Sequence, residues 1–257
     1  MSNFGKLSYI ITRLYFAFLI ILTAVVLYSS AIIPDYIHIC KAKDPNIGPC
    51  INNSVNHLRS RLKTGIPDLD VPPMEPLMVD EIRLQRGPAG AAINCNITNL
   101  KVWGPASFVI TDIRPEVSKN KFNFKLWLPH LYFQGDYELD MRILLINVRG
   151  KGAVEGNFTD YRSDVIMKGK KITKDNQEYL KFDKIRIRLH IGKQKLKFEN
   201  LFNNDPILRQ ISNDIVNENS DLFINEIKPA LENSLAEKFT EIANKITLKF
   251  TYNELFP

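Results

Sequence analysis

Cysteine is the residue type of this chain whose spacing most directly indicates chemistry. Cys40 and Cys50 lie ten positions apart around a stretch rich in proline and glycine, and this spacing favours a disulfide in an exported protein. Closing such a short loop stabilises the folded state by about 2 to 3 kcal/mol. Cys95 is left without a partner, and its alternation with Ile93 and Ile97 predicts a buried free thiol.

Catalytic and metal-binding patterns find little support in the sequence. The four histidines are scattered, whereas a metal site needs clustered histidines or further cysteines. The sequence contains no nucleophile elbow, P-loop, metalloprotease motif or dinucleotide-binding turn. Glu138 and Asp140 alternate with apolar residues and are expected on the solvent face. We therefore expect no catalytic residue, no metal and no cofactor.

The N-terminal segment has the pattern of a signal peptide. Lys6 and Arg13 precede an apolar run over residues 14–27, and the small residues that follow predict cleavage after Ala31. Residues 14–33 are also long enough to span a bilayer, so an uncleaved anchor is the alternative.

Cleavage would divide the chain into a signal peptide, residues 1–31, and a single extracellular domain, residues 32–257. Without Lys6 and Arg13 the formal charge falls from +6 to +4, which is too balanced for a nucleic-acid-binding surface. Export would also make three N-x-S/T acceptors available for glycosylation: Asn52, Asn96 and Asn157.

Hydrophobic periodicity predicts an α+β domain. Residues 51–67 predict a short amphipathic helix capped by Asn53 or Ser54 and stopped by Gly65 and Pro67, and a proline-rich connector follows. Period-two alternation then predicts strands of an antiparallel sheet, long enough that the sheet must curl. These strands cover residues 81–85, 91–98, 121–128, 137–148, 153–167 and 183–198.

Helical periodicity returns near the C-terminus. Asp205 and Pro206 form an N-cap and first-turn pair, and the helix runs over residues 205–246 with a kink at Pro229. A helix of this length rises about 60 Å, so something equally long must cover its apolar face. We infer one elongated domain in which the curved sheet wraps around this helix, leaving either a solid core or a tunnel.

Strand alternation supplies the candidate ligand-binding residues. The apolar face of the two strands over 121–128 and 137–148, together with two helix residues, gives the tunnel-lining candidates Phe122, Phe124, Leu126, Leu128, Tyr137, Leu139, Met141, Ile143, Leu222 and Leu231.

The last predicted strand carries cations on its outer face. They either protect a sheet edge or form a stripe that docks on anionic membranes. The residues are Lys184, Arg186, Arg188, His190, Lys195 and Lys197.

The order of these features resembles the insect takeout and juvenile hormone binding protein family, within the tubular lipid-binding superfamily. The resemblance is carried by the Cys40 and Cys50 pair, RLKTGIPDLDVPPMEPL, LWLPHLYFQGDYELDMRILLINVRGKG and FINEIKPALENSLAEKF through YNELFP. It implies a long helix wrapped by a curved antiparallel sheet, an internal hydrophobic tunnel and the same disulfide. The moth hormone carriers have a further disulfide whose cysteines this sequence lacks, which favours the takeout-like branch, linked with feeding, circadian and chemosensory physiology.

The resulting hypothesis is a secreted, monomeric, non-enzymatic carrier of a small lipophilic ligand. That ligand is a juvenile hormone, a fatty acid or another terpenoid or lipid, and transient membrane or receptor contact accompanies its transfer. The alternative is an extracellular interaction module with a collapsed tunnel. A third hypothesis, a lipid-processing enzyme, requires perturbed polar residues inside the tunnel.

Overall fold

Two very long antiparallel strands form the centre of the protein. The computed structural model describes residues 33–86, 93–143, 146–202 and 206–257. The seven strands are β1 (Leu77–Arg86), β2 (Ile93–Trp103), β3 (Val109–Glu116), β4 (Lys121–Ile143), β5 (Ile146–Lys174), β6 (Gln177–Phe182) and β7 (Arg186–Phe198). The helices are α1 (Ile47–Thr64), α2 (Pro206–Glu218), α3 (Ser220–Thr247) and α4 (Tyr252–Leu255). All described residues from Pro34 to Pro257 belong to one structural unit. The predicted leader lies outside the described residues.

The sheet is antiparallel and is organised around the β4–β5 ladder. β2 pairs with the C-terminal half of β4, and β3 pairs with its N-terminal half. On the other side, β7 and β6 pair with successive parts of β5. β1 completes the sheet beside β2.

Helix α3 closes the curved sheet. It contacts β1 at one edge of the sheet and β6 and β7 at the other edge. Strands of 23 and 29 residues twist strongly, so the two edges curl toward the same helix. The predicted α+β class, with a curved antiparallel sheet around a C-terminal helix, is confirmed.

The predicted boundary between two central strands is wrong. Residues 121–128 and 137–143 belong to one strand, β4, in which Pro129 and Gly135 are internal. Pro129 has no partner in the ladder between Leu128 and His130, so its missing N–H costs no ladder hydrogen bond. The segment 137–148 instead spans the end of β4 and the start of β5.

Two strands and one helix were not anticipated. β3 pairs with β4, and β6 follows a turn at Asp175 and Asn176, both with positive φ. Asp and Asn tolerate this backbone region, which is a usable turn signal. The short helix α4 has a capping box between Thr251 and Glu254.

The C-terminal helix is interrupted at Asn219, where a continuous helix was predicted, and continues through Pro229. Asn219 leaves helical geometry with φ −111° and ψ 20°, and its side chain donates to the carbonyl of Ile215 at 2.8 Å. Pro229 lies inside α3 on its exposed side. Asn225, four residues earlier, is also exposed, so water can satisfy the carbonyl that a proline leaves unpaired.

Helix α1 begins earlier than predicted. It starts at Ile47 after Asn46, so Cys50 lies in its first turn, and it ends at Gly65 as expected. The φ of Gly65 is 89°, a backbone region that favours glycine. No helix among the described residues is both long and apolar enough to cross a membrane.

Candidate functional site

The concave face of the sheet and the facing side of α3 form one apolar interior. Of the predicted residues on β4, Leu128, Tyr137, Leu139 and Met141 are buried within it. Phe124 and Leu126 are partly buried against the same cluster, as is Leu231 from α3.

Three predicted residues lie elsewhere. Phe122 belongs to a second buried cluster, where its ring packs edge-on against Phe182 at 5.9 Å between centroids. Leu222 is 43% exposed and is not among the buried residues. Ile143 ends β4, and its side chain lies outside the described residues.

Helix α3 contributes residues that periodicity alone did not select. Phe223, Ile224 and Ala230 are buried beside Ile227, so the apolar stripe lies one position away from Leu222. Phe223 packs edge-on against Phe198 at 5.3 Å. Leu222 alone of the two predicted helix residues lies off this stripe, since Leu231 packs against the buried cluster.

Three strands change the face of their alternation at the same level of the sheet. The change occurs at Pro129 in β4, at Asp160 in β5 and at Gly192 in β7, and none of these residues is paired in its ladder. Asp160 has φ 51°, and a Cβ on Gly192 would lie 2.9 Å from the Cβ of Asp160. In β4 and β5, the inward-facing residues have even numbers before this point of the strand and odd numbers after it. In β7 the order is reversed.

Two hydroxyls lie within the apolar interior without a hydrogen-bond partner among the described residues. Tyr161 and Ser163 are both buried, two positions apart on the inner face of β5. Burial, and secondarily the negative charge of Glu232, raises the pKa of Tyr161, so its hydroxyl stays protonated at neutral pH. Tyr137, by contrast, donates its hydroxyl proton to the carbonyl of Glu199 at 2.6 Å.

Polar helix side chains hydrogen-bond the outer edge of β7 and so fix α3 and α2 over the interior. Asn217 accepts from the N–H of Leu196 at 2.8 Å and donates to its carbonyl at 2.7 Å. Asn213 makes the same pair of contacts with Phe198. A buried strand edge needs such partners because unpaired backbone groups are costly.

The cysteines form the predicted pattern. Cys40 and Cys50 are joined in a disulfide, and Cys95 is a buried free thiol. Burial raises the pKa of the Cys95 thiol to about 12. The side chain of His38 lies near the disulfide, with possible ligand atoms of all three residues within 4.8 Å. Both sulfurs are consumed by the bond between them, so they cannot act as thiolate ligands.

The three predicted glycan acceptors lie on different elements. Asn52 is in α1 and accepts a hydrogen bond from Asn56 at 3.1 Å. Asn96 is on β2, and Asn157 is on β5 with its Oδ1 atom 2.9 Å from Nε2 of His130. Their glycosylation stays a prediction.

A half-barrel of antiparallel strands, closed by a helix over an apolar interior with few polar groups, defines a class of proteins suited to enclosing lipophilic molecules. Residues 17–257 match the family described as haemolymph juvenile hormone binding protein. The chain therefore belongs to this family, the takeout and juvenile hormone binding protein family indicated by the sequence. The family description is that of binding proteins.

Two relatives agree with this assignment. The chain is 20% identical to the circadian clock-controlled protein daywake of Drosophila melanogaster, over 87% of this chain and 88% of that protein. It shares its fold with the crystal structure of takeout 1 from Epiphyas postvittana, with a TM-score of 0.72 and 17% identity. That superposition covers 86% of this chain and 99% of the other.

Proposed function

We propose that this protein is a secreted, non-enzymatic carrier that holds one small lipophilic molecule in a tunnel between the sheet and helix α3. The apolar interior carries the proposal, because it combines an extended apolar surface with the hydroxyls of Tyr161 and Ser163, which have no hydrogen-bond partner among the described residues. The tunnel-lining residues are those of β4 and α3 that face this interior, without Leu222.

The two hydroxyls support a particular ligand chemistry. A hydroxyl without a protein partner is available to hydrogen-bond a polar group of a ligand. The favoured ligand is therefore a long apolar molecule with one polar group, such as a fatty acid, a terpenoid alcohol or a terpenoid ester. A juvenile hormone fits this description.

The leader pattern and the family support export and a physiological role. The signal peptide pattern, the Cys40–Cys50 disulfide and the haemolymph family support secretion. Similarity to a circadian clock-controlled relative supports a takeout-like role in hormone, feeding, circadian or chemosensory physiology.

Native mass spectrometry with lipid extraction tests the proposal on protein secreted from insect cells. A bound apolar molecule in near-equimolar amount is the expected result, and extraction would identify its class. Protein that is empty, and that also fails to bind fluorescent fatty-acid and terpenoid probes, would instead support an interaction module.

A cavity-filling variant separates an open tunnel from a solid core. Ser163→Leu should retain stability and exclude ligand if the space beside the hydroxyl is open. In a solid core the same change should cost about 1 to 3 kcal/mol through overpacking. Ser118→Leu, at an exposed position, controls for added hydrophobicity.

A further inference from the structure

The outer face of the sheet is divided into two regions that differ in how their cations are compensated. In the region near the β4–β5 turn, cations lie beside acids on neighbouring strands. The pairs are Arg149 with Asp140 at 2.5 Å, Lys151 with Glu138 at 3.4 Å and Lys197 with Glu155 at 2.9 Å.

The other region contains five exposed cations that form no ion pair among the described residues. This basic patch consists of Lys168, Lys170, Lys181, Arg186 and Arg188. Lys170 lies directly opposite Lys181 on the paired strands β5 and β6. Like charges at opposed positions destabilise a sheet, so this pair lowers the folding stability of the protein.

Edge protection does not account for the whole patch. Lys168 lies opposite Lys121 of β4, and on its other side its carbonyl accepts from the N–H of Asp183, so it is not on a free edge. Lys170 and Lys181 lie on the part of β5 and β6 that extends beyond the last β4 pair. The outer edge of β7 is already covered by α3: the N–H of Ile185 donates to Thr240 at 2.9 Å, and that of Leu189 to Glu232 at 2.8 Å. The cations of β7 are thus not needed to block strand addition.

The predicted stripe along β7 is also not the basic patch. Lys184 pairs with Glu237 at 2.7 Å, His190 lies 3.3 Å from Asp164, and Lys197 pairs with Glu155. Only Arg186 and Arg188 of the predicted stripe belong to the patch. The remaining cations come from β5 and β6, because strand pairing brings residues distant in sequence to one surface.

An apolar side chain lies among these cations. Ile166 is exposed on β5, opposite Arg186 and two positions from Lys168. Two acids lie nearby: Asp164, which is directly opposite Arg188 and also approaches Lys125 at 3.9 Å and His190 at 3.3 Å, and Asp183 in the connection to β7. Cations around an apolar residue match a surface of anionic headgroups above acyl chains.

We propose that the basic patch docks the protein on anionic lipid membranes, with Ile166 entering the headgroup region. A soluble polyanion would use the cations but not the isoleucine, so the observations favour a membrane. The purpose of docking, exchange of a lipophilic ligand with the bilayer, rests on the proposed function. The docking itself does not.

Vesicle flotation tests the proposal with the full-length secreted protein. Vesicles of phosphatidylcholine and phosphatidylserine should bind the protein, vesicles of phosphatidylcholine alone should bind it weakly, and salt should weaken binding. Each cation near the surface contributes about fivefold, so the triple variant Lys168→Gln, Arg186→Gln, Arg188→Gln should bind about a hundredfold more weakly.

A matched variant separates the patch from net charge. Lys43→Gln, Lys63→Gln, Lys101→Gln removes the same charge from exposed positions elsewhere and should retain binding within about twofold. Equal losses in the two triple variants, or no loss in the patch variant, would overturn the proposal. So would patch-dependent binding to heparin without patch-dependent binding to vesicles.

A second variant guards against misfolding. Lys170→Gln, Lys181→Gln removes the opposed like charges, so it should unfold at an equal or higher urea concentration while binding vesicles more weakly. Ligand uptake from solution is measured separately. If the protein docks through the patch but takes up no ligand, the docking proposal stands and the carrier proposal is overturned. If it takes up ligand but does not dock, the carrier proposal stands and the docking proposal is overturned.

Discussion

At the scale of single residues, two tyrosines on the inner face of the sheet differ in one respect that matters for function. The hydroxyl of Tyr137 has a partner in the carbonyl of Glu199, whereas that of Tyr161 has none among the described residues. Both rings are buried, so the two side chains form a matched pair for mutation.

Tyr161→Phe should weaken binding of a fatty alcohol by about two- to tenfold, the value of one hydrogen bond, and leave binding of an alkane of equal length unchanged. Its unfolding free energy should not fall, because no protein hydrogen bond is lost. Tyr137→Phe should lose about 1 kcal/mol of stability and keep the alcohol-to-alkane preference. Probe competition measures the binding effect, and urea unfolding measures the stability effect. A loss of alcohol binding in Tyr137→Phe and not in Tyr161→Phe would contradict the role of Tyr161.

Cys95 should be unreactive in the folded protein. The thiolate is the nucleophile, and at pH 8 a thiol with a pKa of about 12 is almost entirely protonated. Iodoacetamide should therefore leave Cys95 unmodified in native protein and modify it in urea, as read by intact mass. Modification of native protein at a rate typical of exposed thiols would contradict its burial.

The raised pKa of Cys95 also has a consequence for alkaline stability. The folded state keeps the proton that the unfolded chain releases near the ordinary pKa of 9.0. Stability from this group is complete below pH 9 and falls as the pH rises toward 12. Cys95→Ala should show a shallower alkaline decline in urea unfolding than the parent protein, and an unchanged slope would count against this linkage.

At the scale of elements, the amide side chains of α2 act as the missing neighbour of β7. Asn217→Ala should cost about 1 to 3 kcal/mol, because the N–H and carbonyl of Leu196 lose their partner next to the helix. Asn225→Ala, at an exposed position of α3, should change stability by less than about 0.5 kcal/mol. Urea unfolding compares the two variants. Equal losses of unfolding free energy would show that the contacts of Asn217 with the edge of β7 do not stabilise the fold.

Some strands and helices could be predicted from the sequence, and others could not. Alternation located most of the β4 and β5 segments, because each buries one face. It could not tell that Pro129 is internal to β4, since this depends on Asp160 and Gly192 distorting the neighbouring strands at the same level. The break at Asn219 was not predicted, whereas Pro229 lies inside α3 and does not end the helix, as predicted.

At the scale of the whole molecule, the large hydrophobic core stabilises the fold, and the disulfide constrains only a short N-terminal segment. The double variant Cys40→Ser, Cys50→Ser should lose about 2 to 3 kcal/mol and keep ligand affinity, because its loop spans only ten residues. Thermal or urea unfolding measures the loss. Failure of the double variant to fold would mean that the N-terminal segment nucleates the domain.

The sequence by itself determined the fold class, the disulfide, the buried thiol and the family. These follow from local periodicity, cysteine spacing and motifs whose order along the chain is visible without a structure. Most of the inward-facing residues of β4 were also accessible, since alternation depends only on neighbouring residues.

Only the tertiary structure decided which surfaces form. The exposure of Leu222 and the burial of Phe223 depend on which side of α3 faces the sheet. The basic patch depends on the register of β5 with β6 and β7, which joins cations up to twenty positions apart. Register and helix rotation are set by packing between distant segments, and local periodicity carries no information about either.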